Sequence, residues 1–135
     1  MTGRTFLDTN VLVYAVDDAD PGKKSTARSL LTGPADAVLS AQVLNEFYVT
    51  ITRKLRPAVA PEIATELVRR LARLPCVAVD AHLVQLAMHA GRRWQLSHWD
   101  ALVIEAARQA GCTRVLSEDL AAGAHYNGLT VENPF

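Results

Sequence analysis

A chain of 135 residues with 14 basic and 14 acidic side chains has no formal net charge, which excludes a domain held to nucleic acid by overall charge alone. Half of its residues are hydrophobic and a fifth are charged, the balance of a single globular domain over residues 1–135 with a core of its own. Without a signal-peptide core, a membrane-length apolar run or a C-x-x-C pattern, a cytoplasmic protein with no membrane role is expected, in which Cys76 and Cys112 are small buried residues.

Arg4-Thr5-Phe6-Leu7 reads as a short buried strand, and Asp8 as the cap of a helix through Val11-Leu12-Val13-Tyr14-Ala15-Val16. Residues 17–22 are turn formers, and residues 23–31 predict a helix stopped by Gly33-Pro34. Residues 37–39 predict a second strand. Ser40 caps a long helix through Lys54, with Leu44, Phe47, Tyr48, Ile51 and Leu55 on one face. Pro61 opens another, whose buried stripe is Ile63, Leu67, Leu71 and Leu74. Residues 76–79 predict a third strand, and Asp80 caps a helix to Trp94. Ser97 caps the next, through Ala110 to Gly111. Residues 113–116 and 129–131 complete the strands. Short apolar strands alternating with helices imply an α/β sandwich around a mainly parallel sheet, with its crevice beyond the carboxyl ends of the strands.

Carboxylates stand out at four places, the last of them an adjacent pair. Asp8 sits at a strand-to-helix junction among apolar residues, where its plain alternative is a helix cap. Glu46 has Gln42, Val43, Val49 and Thr50 as helical neighbours, so no cation is at hand to pair with it. Asp100 lies in the apolar run Trp99-Asp100-Ala101-Leu102-Val103-Ile104, three residues after Ser97, where a capping box is the alternative. Glu118 and Asp119 directly follow Ser117 and the last long strand, where a polar turn would also suit them. Gathered at one crevice, such groups repel: at about 4 Å and an effective dielectric near 20, each pair costs on the order of 4 kcal/mol. An all-oxygen set suits Mg²⁺ or Mn²⁺ as the offsetting charge. Such an ion stabilises charge on phosphoryl oxygens and acidifies water, which suits phosphodiester hydrolysis.

Asp8-Thr9-Asn10 after a first strand, Glu46 in the third helix, Ser97-x-x-Asp100 and Ser117-Glu118-Asp119 together resemble a PIN-domain ribonuclease, with the VapC-type toxins of bacterial toxin–antitoxin pairs the nearest likeness. The resemblance spans essentially the whole chain, including the closing Gly128-Leu129-Thr130-Val131-Glu132-Asn133-Pro134-Phe135. It implies a PIN-like α/β/α sandwich and a Mg²⁺- or Mn²⁺-dependent endoribonuclease acting on RNA. It also implies a homodimer, and an antitoxin whose tail occupies the site. By motif match Asp8, Glu46 and Asp100 ligate metal and Asp119 completes the quartet, supported by Thr9, Asn10 and Ser117. Glu118 and Asp119 are adjacent, so either could supply the fourth carboxylate.

With zero net charge, RNA needs a local basic patch, for which Arg53, Lys54, Arg56, Arg92 and Arg93 are candidates; solvated helix faces are the alternative. Trp94 and Trp99 are expected in the core, with base stacking as the other use of an exposed indole. His82 and His89 lie seven apart, not at metal-binding spacing. Two other classes compete: a catalytically inactive RNA- or partner-binding domain of the same fold, and a phospho-acceptor receiver around Asp80. The receiver needs a lysine at a late strand end, where this chain has none.

Overall fold

The computed structural model describes residues 3–33 and 36–135. Its frame is a sheet of β1 (Arg4–Leu7), β2 (Ala37–Ser40), β3 (Cys76–Val77), β4 (Cys112–Leu116) and β5 (Thr130–Glu132), in the spatial order β3-β2-β1-β4-β5. Every pairing between these strands is parallel, with Phe6 opposite both Val38 and Val115. Consecutive residues Phe6-Leu7, Val38-Leu39 and Val115-Leu116 are at most 2% exposed. Both faces of the central strands are therefore covered, as a parallel sheet requires.

Among the described residues six α-helices supply the cover: α1 (Thr9–Tyr14), α2 (Pro21–Thr32), α3 (Ala41–Val49), α4 (Pro61–Leu71), α5 (Ala81–Trp94) and α6 (His98–Gln109). α1 packs on α2 and α3, and α3 on α4, whereas α5 pairs with α6, which lies on β4 and β2. The path from β1 through β2 to β3 moves toward one edge, and β4 then returns on the far side of β1. Right-handed crossovers consequently set the two helix groups on opposite faces. The strand order reverses between β1 and β4, and the carboxyl ends of those two strands form the crevice.

Several sequence expectations need correction. The run read as one helix to Lys54 leaves α geometry at Thr50 and finishes as a π-helical turn, Thr50–Lys54, that buries Ile51. β3 ends at Val77, not Val79; it is an edge strand paired only with β2, and edge strands are commonly short. In α4, Ile63 is 59% exposed and Ala64 is buried in its place, the 100° rotation that one helical residue makes. Cys76 is exposed on that edge strand, while Cys112 is buried and its thiol is pushed up to about 11 by desolvation. Trp99 is 65% exposed rather than in the core, because it precedes the first buried turn of α6. Pro34, expected to stop the second helix, lies outside the described residues; Gly33 is the C-cap of α2. Among the described residues, no helix is long and apolar enough to cross a membrane.

Candidate active site

Asp8 follows β1 directly and caps α1, its Oδ1 accepting the Thr9 amide at 2.8 Å. The cap reading is thus correct, yet it uses only one carboxylate oxygen. The other, Oδ2, accepts the Ser117 hydroxyl at 2.7 Å, across the seam between β1 and β4. Ser117 is fully buried, and its Oγ also accepts the amides of Asp119 and Leu120, both at 3.1 Å. One hydroxyl therefore folds the loop after β4 and ties it to Asp8. Asn10 repeats the link: its side-chain Oδ1 accepts the Glu118 backbone amide at 3.0 Å. Its Nδ2 lies 3.2 Å from Ser117 Oγ, 3.3 Å from Asp119 Oδ2 and 3.4 Å from Asp8 Oδ2.

Glu46 reaches the same place from α3. Its Oε2 accepts the Thr9 hydroxyl at 3.2 Å and its Oε1 the Gln42 amide at 2.8 Å. That Gln42 amide also donates to the backbone carbonyl of Trp99 at 3.1 Å. That bridge ends on the residue before Asp100, and among the described residues no hydrogen bond ties the Asp100 carboxylate to the other three; its backbone N–H meets Ser97 Oγ at 3.1 Å, half of a capping box. Glu118 turns away: its carboxylate accepts from Lys23 Nζ and the Tyr14 hydroxyl, each at 2.5 Å. Those two partners hold it below the usual carboxylate range. Asp119, not Glu118, faces Asn10 and Asp8.

Electrostatics separate these groups. Burial pushes the Asp8 carboxyl above its ordinary value; the Ser117 and Thr9 hydrogen bonds pull it back, and the charges of Glu46 and Asp119 push it further up. Among the described residues, no Lys, Arg or His forms an ion pair with Asp8, Glu46, Asp100 or Asp119. The donors are all oxygen and the uncompensated charge is negative, which fits a hard divalent cation. In their present rotamers no three His, Cys, Asp or Glu side chains of the described residues already stand as a metal cage. The fit is one of donor type and charge rather than of a preformed shell.

The five basic candidates divide into two exposed groups: Arg53, Lys54 and Arg56 at the end of the π-helical turn, and Arg92 and Arg93 at the end of α5. Arg56 is folded onto the carbonyls of Arg53 and Leu55, and Arg93 lies over the Trp94 ring at 4.5 Å. None bonds to an acidic site residue. Sequence reasoning missed Gln42, although its i, i+4 spacing to Glu46 was a usable signal. It also missed Lys23 and Tyr14 as partners of Glu118, a contact across 95 positions that no local pattern announces.

No curated protein matches the chain. Among solved structures it is similar to the sarcin-ricin loop cleaving toxin VapC20 of Mycobacterium tuberculosis, at 22% identity over 85% of this chain and 91% of that one, with a TM-score of 0.68. A toxin–antitoxin complex from Klebsiella pneumoniae is similar at 14% identity, covering 97% and 98% of the two chains, with a TM-score of 0.70. DNA-bound VapBC from Salmonella typhimurium is similar at 19% identity over 100% of each chain, with a TM-score of 0.66. At these identities the likeness is one of fold. The PIN domain model matches residues 5–123, a span that holds Asp8, Glu46, Asp100 and the loop from Ser117 to Asp119, and the chain belongs to the PIN domain family.

Proposed function

We propose that this chain is a divalent-metal-dependent endoribonuclease that hydrolyses RNA phosphodiester bonds, acting as the toxin of a toxin–antitoxin pair. The observation that carries the reading is Asp8, a buried carboxylate with two like-charged neighbours and, among the described residues, no cation paired with them, at the switch point of a PIN domain.

In this reading Asp8, Glu46, Asp100 and Asp119 would hold Mg²⁺ or Mn²⁺. The bound ion supplies positive charge against the phosphodiester and acidifies water. The rest of the work falls to the chain. Ser117 and Thr9 fix the Asp8 carboxylate by two hydrogen bonds, so its orientation is set before RNA arrives. Asn10 holds Asp119 beside it, and the Thr9 hydroxyl holds Glu46. Glu118, engaged by Lys23 and Tyr14, anchors the loop and stays out of the quartet. The exposed side chains of Arg53, Lys54, Arg56, Arg92 and Arg93 grip the RNA backbone. The solved toxin–antitoxin complexes of like fold support an antitoxin partner, and a homodimer in the cytoplasm belongs to the same proposal.

The test is cleavage of RNA by purified protein in Mg²⁺, in Mn²⁺ and in EDTA. Wild type should cut in either metal and not in EDTA. Asp8→Asn and Asp119→Asn should lose cleavage, whereas Glu118→Gln should keep most of it. Undiminished cutting by Asp8→Asn, or cutting in EDTA, overturns the mechanism.

A further inference from the structure

Beside Glu46 opens a cleft of about 700 Å³ whose lining includes Gln42, Asn45, Val79, Trp99 and Leu102. Its size is that of an ordinary small-ligand site, roughly 300–1,000 Å³. Apart from Glu46 at one edge, none of these residues is charged. Trp99, in the first turn of α6, contributes an indole that is 65% exposed. Gln42 is unusual in a second way. Both hydrogen bonds of its amide nitrogen are made, to Glu46 and to the Trp99 carbonyl, yet its carbonyl oxygen is buried without any donor. A buried acceptor left unpaired is unfavourable, and this one can meet an N–H from the cleft only if the carboxamide rotates, exchanging one of the two bonds its nitrogen makes for the one its oxygen lacks.

We propose that this cleft is a nucleobase subsite, in which Trp99 stacks on one base of the RNA and Gln42 accepts a hydrogen bond from an N–H on that base's edge. The inference deepens the nuclease reading and rests on it. An uncharged planar ring with N–H groups on its rim matches a largely uncharged cleft that offers an indole face and two carboxamides, one of which has an acceptor still to be paired once it rotates. A purely apolar protein side chain would leave that acceptor unmet. Position agrees as well: Gln42 bonds directly to Glu46, so a base seated here belongs to a nucleotide adjoining the phosphate at the carboxylates.

The experiment uses full-length protein with Trp94→Phe, which leaves Trp99 as the one tryptophan, and Asp8→Asn to prevent cleavage. Short single-stranded RNA oligonucleotides of each base are titrated while indole emission is followed. RNA should quench the emission, and the four bases should differ in affinity. Gln42→Leu should narrow that difference. In cleavage-competent protein, Trp99→Ala should raise KM by about 5- to 150-fold, the range for one aromatic–base stack. Its effect on kcat should be smaller, and Trp99→Phe should recover most of the loss. Unchanged emission together with an unchanged KM for Trp99→Ala, in protein that still cuts RNA, overturns the subsite and leaves the nuclease reading intact. Wild type that neither binds nor cuts RNA overturns the nuclease reading itself. Loss of self-association in Trp99→Ala with no change in KM would make the cleft an interface between copies, and would equally overturn the subsite.

Discussion

At the scale of single residues, Asp8 is where sequence and structure meet most closely. Its place between an apolar strand and an apolar helix marked it as a carboxylate away from bulk water, and it is 8% exposed. Its neighbour Thr9 was an obvious partner, whereas the bond to Ser117 was suggested only by the family resemblance: that residue is 109 positions away, and only the β1–β4 pairing brings the two together. For the same reason the choice between Glu118 and Asp119 was illegible, since it is made by Lys23 and Asn10. The raised pKa of Asp8 has a measurable sign. Between its ordinary value of 3.8 and the higher value in the fold, the folded protein binds more protons than the unfolded chain, so the Asp8 contribution to stability falls as pH rises through that window and returns on acidification. Carboxylates with lowered values, such as Glu118 and Glu66, give the opposite trend, but they are common to wild type and Asp8→Asn and cancel in the difference. Unfolding in EDTA from pH 7 to pH 4 should therefore shift in favour of wild type relative to Asp8→Asn as pH falls. A difference that stays flat would mean that Asp8 titrates as an ordinary carboxyl.

At the scale of elements, caps were read more reliably than interiors. Asp8, Ser40, Asp80 and Ser97 each cap the helix expected of them, because a cap is a local bond between neighbours in sequence. The end of α3 was misread because Ile51 and Leu55 continue the apolar spacing through the π-helical turn. Periodicity reports which side is buried and not how the backbone is bonded. Ser40 matters most among the caps, since it is fully buried and starts the helix that carries Glu46. Its Oγ meets the Val43 amide at a long 3.4 Å. Ser40→Ala should therefore destabilise toward the lower end of the usual range, about 0.5–1 kcal/mol, and lower Tm by a few degrees. Stability equal to wild type would show that the long contact contributes nothing. The basic ends of the π-helical turn and of α5 make a separate prediction. Binding of RNA to the Asp8→Asn protein should weaken with salt, and Arg92→Gln with Arg93→Gln should reduce the log–log slope by up to about 1.4 if both contact phosphates. An unchanged slope there, and likewise on neutralising Arg53, Lys54 and Arg56, would remove these groups from the RNA path.

At the scale of the molecule, zero net charge conceals an uneven distribution: Arg53, Lys54, Arg92 and Arg93 lie at helix ends, while Asp8, Glu46 and Asp119 converge without a paired cation among the described residues. The α/β class, the parallel sheet and the location of the crevice were legible, because the buried strands are short and apolar and alternate with helices. The strand order and the cleft lined by Trp99 were not, since both depend on which helix covers which face. The most direct measurement is the thermal stability of metal-free protein as Mn²⁺ is added. If the converging carboxylates form a cation site, wild type should gain roughly 2.7 kcal/mol at a Mn²⁺ concentration 100 times the dissociation constant. Asp8→Asn, which removes the central buried charge, should gain far less over the same titration. An equal gain in both proteins, or none in wild type, would contradict the assignment of Asp8, Glu46, Asp100 and Asp119 to a divalent cation.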